Sequence, residues 1–384
     1  MQIKRGVIAM ASMKDHADVR REGLVAMAGP APRPVRHRAP GLRTKVAFLS
    51  NPGNYPENTV AVKVVRTHMS CVFLTDKHAY KLKKPVRYDF LDFSTLEARR
   101  ADCEEELRLN RRLARDVYID VVPLVLTRDG GLAVGGAGEI VDWLVKMRRL
   151  PARLMLDRAI RDGNVRHDDV RRCALVLADF FRRSDPVAMD PGEYRDRFRM
   201  DILANQRALA APNCSLPPAL LESATAGLLA VLETEASSFD RRVAERRIVE
   251  GHGDLRPEHV CLGAEPLFID CLEFNSRWRM LDPADELSYL AMECEFAGAP
   301  WIGEVVMDTY REATGDDPPA RLLSFYRGFR AVVRAKLAAA HLRDHPDPAD
   351  QGKWIARAGR YLELANRHAG TSSGQAGSFA GCRT

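Results

Sequence analysis

Asp254 and Asp270 lie in the stretch of this sequence richest in chemistry. Asp254 sits in Gly251-His252-Gly253-Asp254-Leu255-Arg256-Pro257-Glu258-His259, a polar loop between two short apolar runs. Asp270 ends the apolar run Leu267-Phe268-Ile269 and is followed by Cys271-Leu272-Glu273. Two carboxylates at the mouths of adjacent strands can converge on one cation. Phosphoryl transfer uses such a layout. One acid orients and deprotonates an acceptor hydroxyl, a second holds Mg²⁺ against nucleotide phosphates, and the ion and a lysine neutralise the developing charge. Plainer readings stand beside this one: Asp254 as a turn residue, and Asp270 as a strand-end acid with no ion. His252, Asp254, His259 and Asp270 together would also make a ligand set for a metal-dependent hydrolase.

Other elements must bring a lysine and its partner to these acids. Val72-Phe73-Leu74 and Ala79-Tyr80-Lys81-Leu82-Lys83 flank the polar turn Thr75-Asp76-Lys77-His78 and predict a β-hairpin. Lys81 and Lys83 share one face of its second strand, because side chains alternate. A helix is predicted from Ser94, with Glu97 completing a capping box and Leu96, Cys103 and Leu107 at helical spacing. Glu106 shares the inward face of Leu109 and Leu113, and Glu105 is the alternative partner for the lysine. Residues 121–126, the turn Asp129-Gly130-Gly131 and a strand near 140–147 predict a second hairpin. From Pro151 onward helical patterns dominate, at about 151–162, 168–184, 191–210, 217–239, 282–296, 300–314, 320–344 and 349–369, broken by one β-like interlude at 247–271. The predicted fold class is therefore α+β and bilobal: a β-rich N-lobe over 46–150 and a helical C-lobe over 151–369 that carries the loop of Asp254. The basic, Pro-rich stretch 1–45 and the Gly/Ser-rich stretch 370–384 are expected to be disordered tails.

His252-Gly253-Asp254-Leu255 followed by Pro257, the later Ile269-Asp270, and Asp282-Pro283-Ala284-Asp285-Glu286-Leu287 match in order and spacing. Together they resemble the HGDLHPGN, IDWE and DPAxDLA motifs of aminoglycoside phosphotransferases and choline-kinase-like enzymes, which have a protein-kinase-like fold. The resemblance implies that Asp254 is the catalytic base and Asp270 a metal ligand, with His252 holding the loop. Ala79-Tyr80-Lys81 resembles the strand that supplies the phosphate-binding lysine, so Lys81 inherits that role with Lys83 as rival, and Glu106 becomes its partner. Met147 lies where the hinge would hold adenine. ATP and Mg²⁺ are the implied cofactors, with Mn²⁺ as the other candidate ion. Phrases such as Val72-Phe73-Leu74-Thr75 and Leu91-Asp92-Phe93-Ser94-Thr95-Leu96-Glu97 look like an uncharacterised bacterial family that often joins this domain to a P-loop ATP-binding domain. No GxxxxGK[ST] occurs in this sequence, so a separately encoded P-loop partner is implied.

Three departures bear on chemistry. The loop asparagine expected five residues after the base is His259, a poorer Mg²⁺ ligand that suits softer metals. The acid after Asp270 is Glu273, not a residue two on, and Glu273 and His259 stand beside Asp270 as the candidate metal ligands. The segment Arg66-Thr67-His68-Met69-Ser70 has no glycine-rich loop.

Bulk properties narrow the class. The chain has 384 residues, is 46% hydrophobic and carries a net charge of +6. Residues 1–45 hold ten Lys/Arg against three Asp/Glu, so the excess charge belongs to the first segment and the remainder is near neutral. That argues against specific nucleic-acid binding, which needs a basic stripe on the folded surface. None of the eight cysteines forms a CxxC pair, and most sit among apolar residues, as buried free thiols do. No run reaches the roughly 20 apolar residues of a membrane helix, and a cytoplasmic protein is the expectation. The predicted function is an ATP-dependent kinase acting on a hydroxyl of a small molecule. The alternative is a catalytically weak pseudokinase serving as a nucleotide-sensing or interaction module.

Overall fold

The computed structural model describes residues 40–88, 90–211, 214–344 and 348–370. Most of 1–45 and of 370–384, and with them Cys382, lie outside the described residues. Helix α1 (Leu42–Leu49) already belongs to the folded body, so the folded chain starts earlier than the expected boundary at 46. The reason is Lys45, which is buried and reaches Asp142 Oδ2 and the Val141 carbonyl at 2.7 Å each.

The N-lobe is one six-stranded antiparallel sheet. In chain order come β1 (Lys63–Arg66), β2 (Ser70–Leu74), β3 (His78–Lys83), a small hairpin of β4 (Arg87–Tyr88) and β5 (Leu91–Asp92), helix α2 (Leu96–Asn110), then β6 (Tyr118–Leu126), β7 (Leu132–Val134) and β8 (Glu139–Arg148). The sheet order is β1-β2-β3-β8-β6-β7. The first predicted hairpin is present, with Val72 opposite Lys81. The second is more elaborate than expected: the turn at Asp129-Gly130 leads into β7, and β8 then pairs with β6 from the other side. Helix α2 begins one residue later than predicted. Asp92 Oδ1 takes the Ser94 N–H at 2.9 Å, and Thr95 Oγ1 becomes the cap, accepting from Ala98 N at 3.1 Å.

The C-lobe is helical, with α3 (Leu156–Arg161), α4 (His167–Arg183), α5 (Pro191–Leu209), α6 (Pro218–Thr234) and α7 (Ala236–Ala244) before the loop region. That region holds four two-residue strands, β9 (Val249–Glu250), β10 (Val260–Cys261), β11 (Leu267–Phe268) and β12 (Met280–Leu281), in two antiparallel pairs, β10-β11 and β9-β12. Helices α8 (Pro283–Phe296), α9 (Trp301–Thr314), α10 (Ala320–Asp344) and α11 (Pro348–Gly370) complete the lobe. The predicted helix at 217–239 is two helices, separated at Glu235. The predicted bilobal α+β fold is the one found.

Three apolar clusters fix this arrangement. One fills the C-lobe around Phe198, Phe239, Phe325 and Tyr326. A second lies under the sheet around Phe73, Tyr80 and Leu144. The third, Cys103, Val117, Tyr118 and Val145, is touched by Leu267 and Ile269 and so ties α2 and the sheet to the strand before Asp270. All seven described cysteines are buried. No helix among the described residues is long and apolar enough to cross a membrane.

Candidate active site

The loop of Asp254 is held by buried polar groups whose hydrogen bonds are nearly all accounted for. Glu286, on the first turn of α8, accepts the backbone N–H groups of His252 at 2.8 Å and Gly253 at 2.5 Å. Burial pushes its carboxyl up to about 7, against the pull of those two N–H donors. Gly251 is required by this contact: a Cβ there would stand 2.3 Å from Glu286 Oε2. Gly253 adopts φ +84°, which disfavours any side chain. His252 spends both ring nitrogens on the loop. Nε2–H donates to the Ile269 carbonyl at 2.9 Å and Nδ1 accepts from Asp254 N at 3.3 Å. Burial and His259 lower its pKa to about 3, so it is neutral. His252 therefore links Asp254 to the strand that ends in Asp270. From the other side Arg112, just past α2, donates to the Glu250 and Gly251 carbonyls at 2.8 and 2.7 Å.

Asp254 points from this loop with a quarter of its side chain exposed. Its Oδ1 accepts from Tyr289 Oη at 3.1 Å and faces Arg256 Nε at 2.9 Å. Burial would raise the carboxyl, but Arg256 and His259 outweigh it and lower it to about 2.

Asp270 stands opposite, in the left-handed backbone region at φ +62°, a conformation aspartate tolerates better than most residues. Its N–H donates to Tyr118 Oη at 3.0 Å, and the next N–H, of Cys271, goes to Asn110 Oδ1 at 2.9 Å. Both partners come from the N-lobe, so sheet and helix together aim the Asp270 side chain. Lys81 Nζ lies 2.8 Å from Asp270 Oδ1 and 2.8 Å from Glu106 Oε1. Lys83 Nζ, on the same face of β3, lies 2.7 Å from Glu106 Oε2 and 2.5 Å from both Glu273 Oε1 and Asp102 Oδ2. Burial works against charge on both lysines. It is outweighed by Asp270 and Glu106 at Lys81, and by Glu106 and Glu273 at Lys83, so both are held above the usual range. Burial also raises Asp102 to about 7, against the pull of Lys83. The Asp270 carboxyl, raised by burial, is pulled well below its ordinary range by Lys81 and His259.

The structure thus brings Lys81, Lys83, Glu106, Asp270 and Glu273 into one cluster and sets Asp254, His252 and His259 beside it. Of the two candidate lysine partners Glu106 is the one that reaches both lysines, whereas Glu105 pairs with Arg108 and Arg279. Met147 lies on β8 opposite Ala79, two residues along β3 from Lys81. Among the described residues no group of three or more His, Cys, Asp or Glu side chains gathers around a common point. A four-residue hydrolase site is therefore not assembled. Asp270 Oδ2 remains a fit for a Mg²⁺ carried mainly by nucleotide phosphates, the usual mode for that ion. Glu273 gives Oε1 to Lys83, and His259 Nε2 is met by Arg256 Nη2 at 3.2 Å.

Several residues here were not singled out from sequence. Tyr118, Asn110, Arg112 and Tyr289 carry no motif signal. Glu286, Glu293 and Glu295 all lie on α8, and each acid has a partner. Glu293 pairs with Arg334 at 2.7 Å, and Glu295 with His368 at 2.8 Å. Asp285, beside Glu286, pairs with Arg330 at 2.5 Å. Arg330 and Arg334 thus turn inward from α10. His68 and His341 meet with Nε2 and Nδ1 3.0 Å apart, joining the β1–β2 loop to α10. A cavity of about 480 Å³, lined among others by Phe90, Phe274, Asp102 and Glu273, borders the Lys83 side of the cluster and includes neither Asp254 nor Asp270.

No family model matches the chain. Uncharacterized proteins of Mycobacterium tuberculosis (strain ATCC 25618 / H37Rv) and of Mycobacterium bovis are each 32% identical to it over 315 residues, which is 80% of this chain and 59% of theirs. The chain thus spans about three fifths of the length of these curated relatives. Among solved structures, a choline/ethanolamine kinase family protein from Mesorhizobium loti aligns with a TM-score of 0.47 at 16% identity, covering 85% of this chain and all of that one. An aminoglycoside phosphotransferase from Streptomyces rimosus, in complex with ADP and streptomycin, aligns with a TM-score of 0.42 at 17% identity, covering 75% and 97%. These likenesses concern the path of the chain and say nothing of activity.

Proposed function

We propose that this chain is an ATP-dependent phosphotransferase that moves the γ-phosphoryl group to a hydroxyl of a small molecule. The observation that carries the reading is the meeting of Lys81 from a strand, Glu106 from a helix and Asp270 from a distant strand end, at 2.8 Å each, next to the loop of Asp254. Lys81 would hold the nucleotide phosphates, and Glu106 keeps it in place. A divalent ion bound with the nucleotide, Mg²⁺ or Mn²⁺, would neutralise phosphate charge, with Asp270 Oδ2 as its protein ligand. Asp254, ionised throughout the neutral range, orients the acceptor hydroxyl and takes its proton as the new P–O bond forms, while the bond from the γ-phosphorus to the β,γ-bridging oxygen breaks and ADP leaves with that electron pair. Glu286, Glu293 and Glu295 each spend their carboxylate on a partner inside the protein and so do not recommend themselves as binders of a cationic acceptor.

Calorimetric titration of ATP with Mg²⁺, then Mn²⁺, tests the site. Metal-dependent binding that disappears in Asp270→Ala is expected, and a folded protein that binds ATP with neither ion sinks the reading. The second reading, a pseudokinase used as a nucleotide-sensing or interaction module, draws on one observation: Asp254 Oδ1 is already engaged by Tyr289 and Arg256. It predicts nucleotide binding without transfer to any hydroxyl in a metabolite screen.

A further inference from the structure

Three residues of the kind that ligate metals face one another across the loop. His259 Nε2 is 3.5 Å from Asp270 Oδ2, and His259 Nδ1 is 3.7 Å from Asp254 Oδ2. An imidazole between two carboxylates is a donor set that attracts divalent transition ions. The three do not close on a common point, because a cation of the chain's own stands among them. Arg256 Nη2 lies 3.2 Å from His259 Nε2, Arg256 Nε lies 2.9 Å from Asp254 Oδ1, and its positive charge acts on Asp270 as well. Glu258 holds the same guanidinium from the other side.

The tautomer of His259 follows from its partners. Nδ1 faces the Asp254 backbone carbonyl at 2.8 Å, and a carbonyl only accepts, so Nδ1 carries the proton. Nε2 is then the lone-pair nitrogen, and that lone pair is directed at an arginine N–H. A nitrogen that accepts from arginine does not ligate a metal at the same time. Arginine also stays protonated in any surroundings a protein offers, so the charge at this point is permanent. Arg256 is thus held by His259, Asp254 and Glu258 together, which fixes its charge at this point of the loop.

We propose that Arg256 is a tethered cation that takes the place of a divalent ion at His259, so that the site accepts at most one such ion, on Asp270. The inference rests on the phosphotransfer reading for its use, since a fixed guanidinium would then meet phosphate oxygens where a second ion would otherwise be recruited from solution. His259 is a positioning residue in this arrangement and not a metal ligand.

The test is Mn²⁺ titration of the full-length, nucleotide-free protein, followed by electron paramagnetic resonance, with Co²⁺ absorption spectra as a report on imidazole ligation. Wild type is expected to show no ion bound through His259. Arg256→Gln should gain one Mn²⁺ site, tighter than anything in wild type by roughly ten-fold or more, and Arg256→Gln with His259→Ala should lose it. Arg256→Lys, which keeps a cation, should behave as wild type. The proposal is overturned if wild type binds Co²⁺ with an imidazole signature that His259→Ala removes, or if Arg256→Gln, shown to be folded by circular dichroism, gains no site. Should Arg256→Gln not fold, the wild-type Co²⁺ spectrum and Arg256→Lys still decide. None of these measurements uses nucleotide, so absence of ATP binding would sink the phosphotransfer reading and leave the place of Arg256 standing.

Discussion

Arg242 is a buried cation and Lys81 a half-buried one, each held at close range by two carboxylates, yet their surroundings differ. Arg242 reaches Asp282 at 2.7 Å and Asp316 at 2.5 Å, and the three side chains are at most 3% exposed. Tyr326 and Tyr310 donate to the same two acids, and Asp282 also caps α8 through the Ala284 N–H. That cluster is closed. Lys81 is less fully covered, and one of its acids, Asp270, is 46% exposed and sits on left-handed backbone. A buried ion pair is by itself weak evidence of function, because closed pairs chiefly fix the register of elements. What separates the two clusters is the carboxylate oxygen left facing outward at Asp270 and the acid loop of Asp254 beside it.

The comparison breaks if the wrong cluster turns out to bind. Arg242→Ala strands two buried acids and is expected to cost about 4 kcal/mol of stability, read by urea unfolding, with ATP affinity unchanged in the folded fraction. A change in affinity with little loss of stability would reverse the assignment. Asp254→Asn should lower phosphoryl transfer by roughly 100-fold or more while calorimetry still shows nucleotide binding. An Asn variant as fast as wild type would remove Asp254 from the chemistry.

Glu286 sharpens the comparison through pH. Its folded pKa is raised to about 7 from 4.5, so the folded state favours its protonated form. The group's contribution is therefore fully present below about pH 4.5 and declines as pH rises towards 7, with a slope of up to about 1.4 kcal/mol per unit. Unfolding free energies measured across that window should lose this slope in Glu286→Gln, and an unchanged slope would show that Glu286 is not its source. Thr95→Ala, which removes the α2 cap, is the smallest change, about 1 kcal/mol by thermal melting. It should leave ATP affinity within two-fold if Lys83 holds Glu106 as firmly as the distances imply, and a larger drop would show that α2 is not independently anchored.

Much of this was legible in the sequence. Helical periodicity placed α4, α5, α8, α9 and α10, and three of these also carry strong end signals, at Asp190-Pro191, Asp282-Pro283 and Gly315. The loop of Asp254 was legible because glycine, proline and acids at fixed spacing are rare together. What escaped was long-range pairing. Lys45 with Asp142, Tyr118 with Asp270 N–H and His68 with His341 join residues 97, 152 and 273 positions apart, and no local pattern marks either partner. Alternation alone does not separate Lys81 from Lys83, because it puts them on one face, and Glu106 has an oxygen for each.

That shared glutamate has a kinetic consequence. An incoming phosphate that draws Lys81 away from Asp270 leaves Lys83 still clamped to Glu106 and Glu273, so α2 need not swing into place when ligand arrives. Most of the ordering is prepaid in the empty protein. Nucleotide association followed by stopped flow should then rise in proportion to nucleotide concentration without reaching a plateau, with encounter setting the pace and no isomerisation step before it.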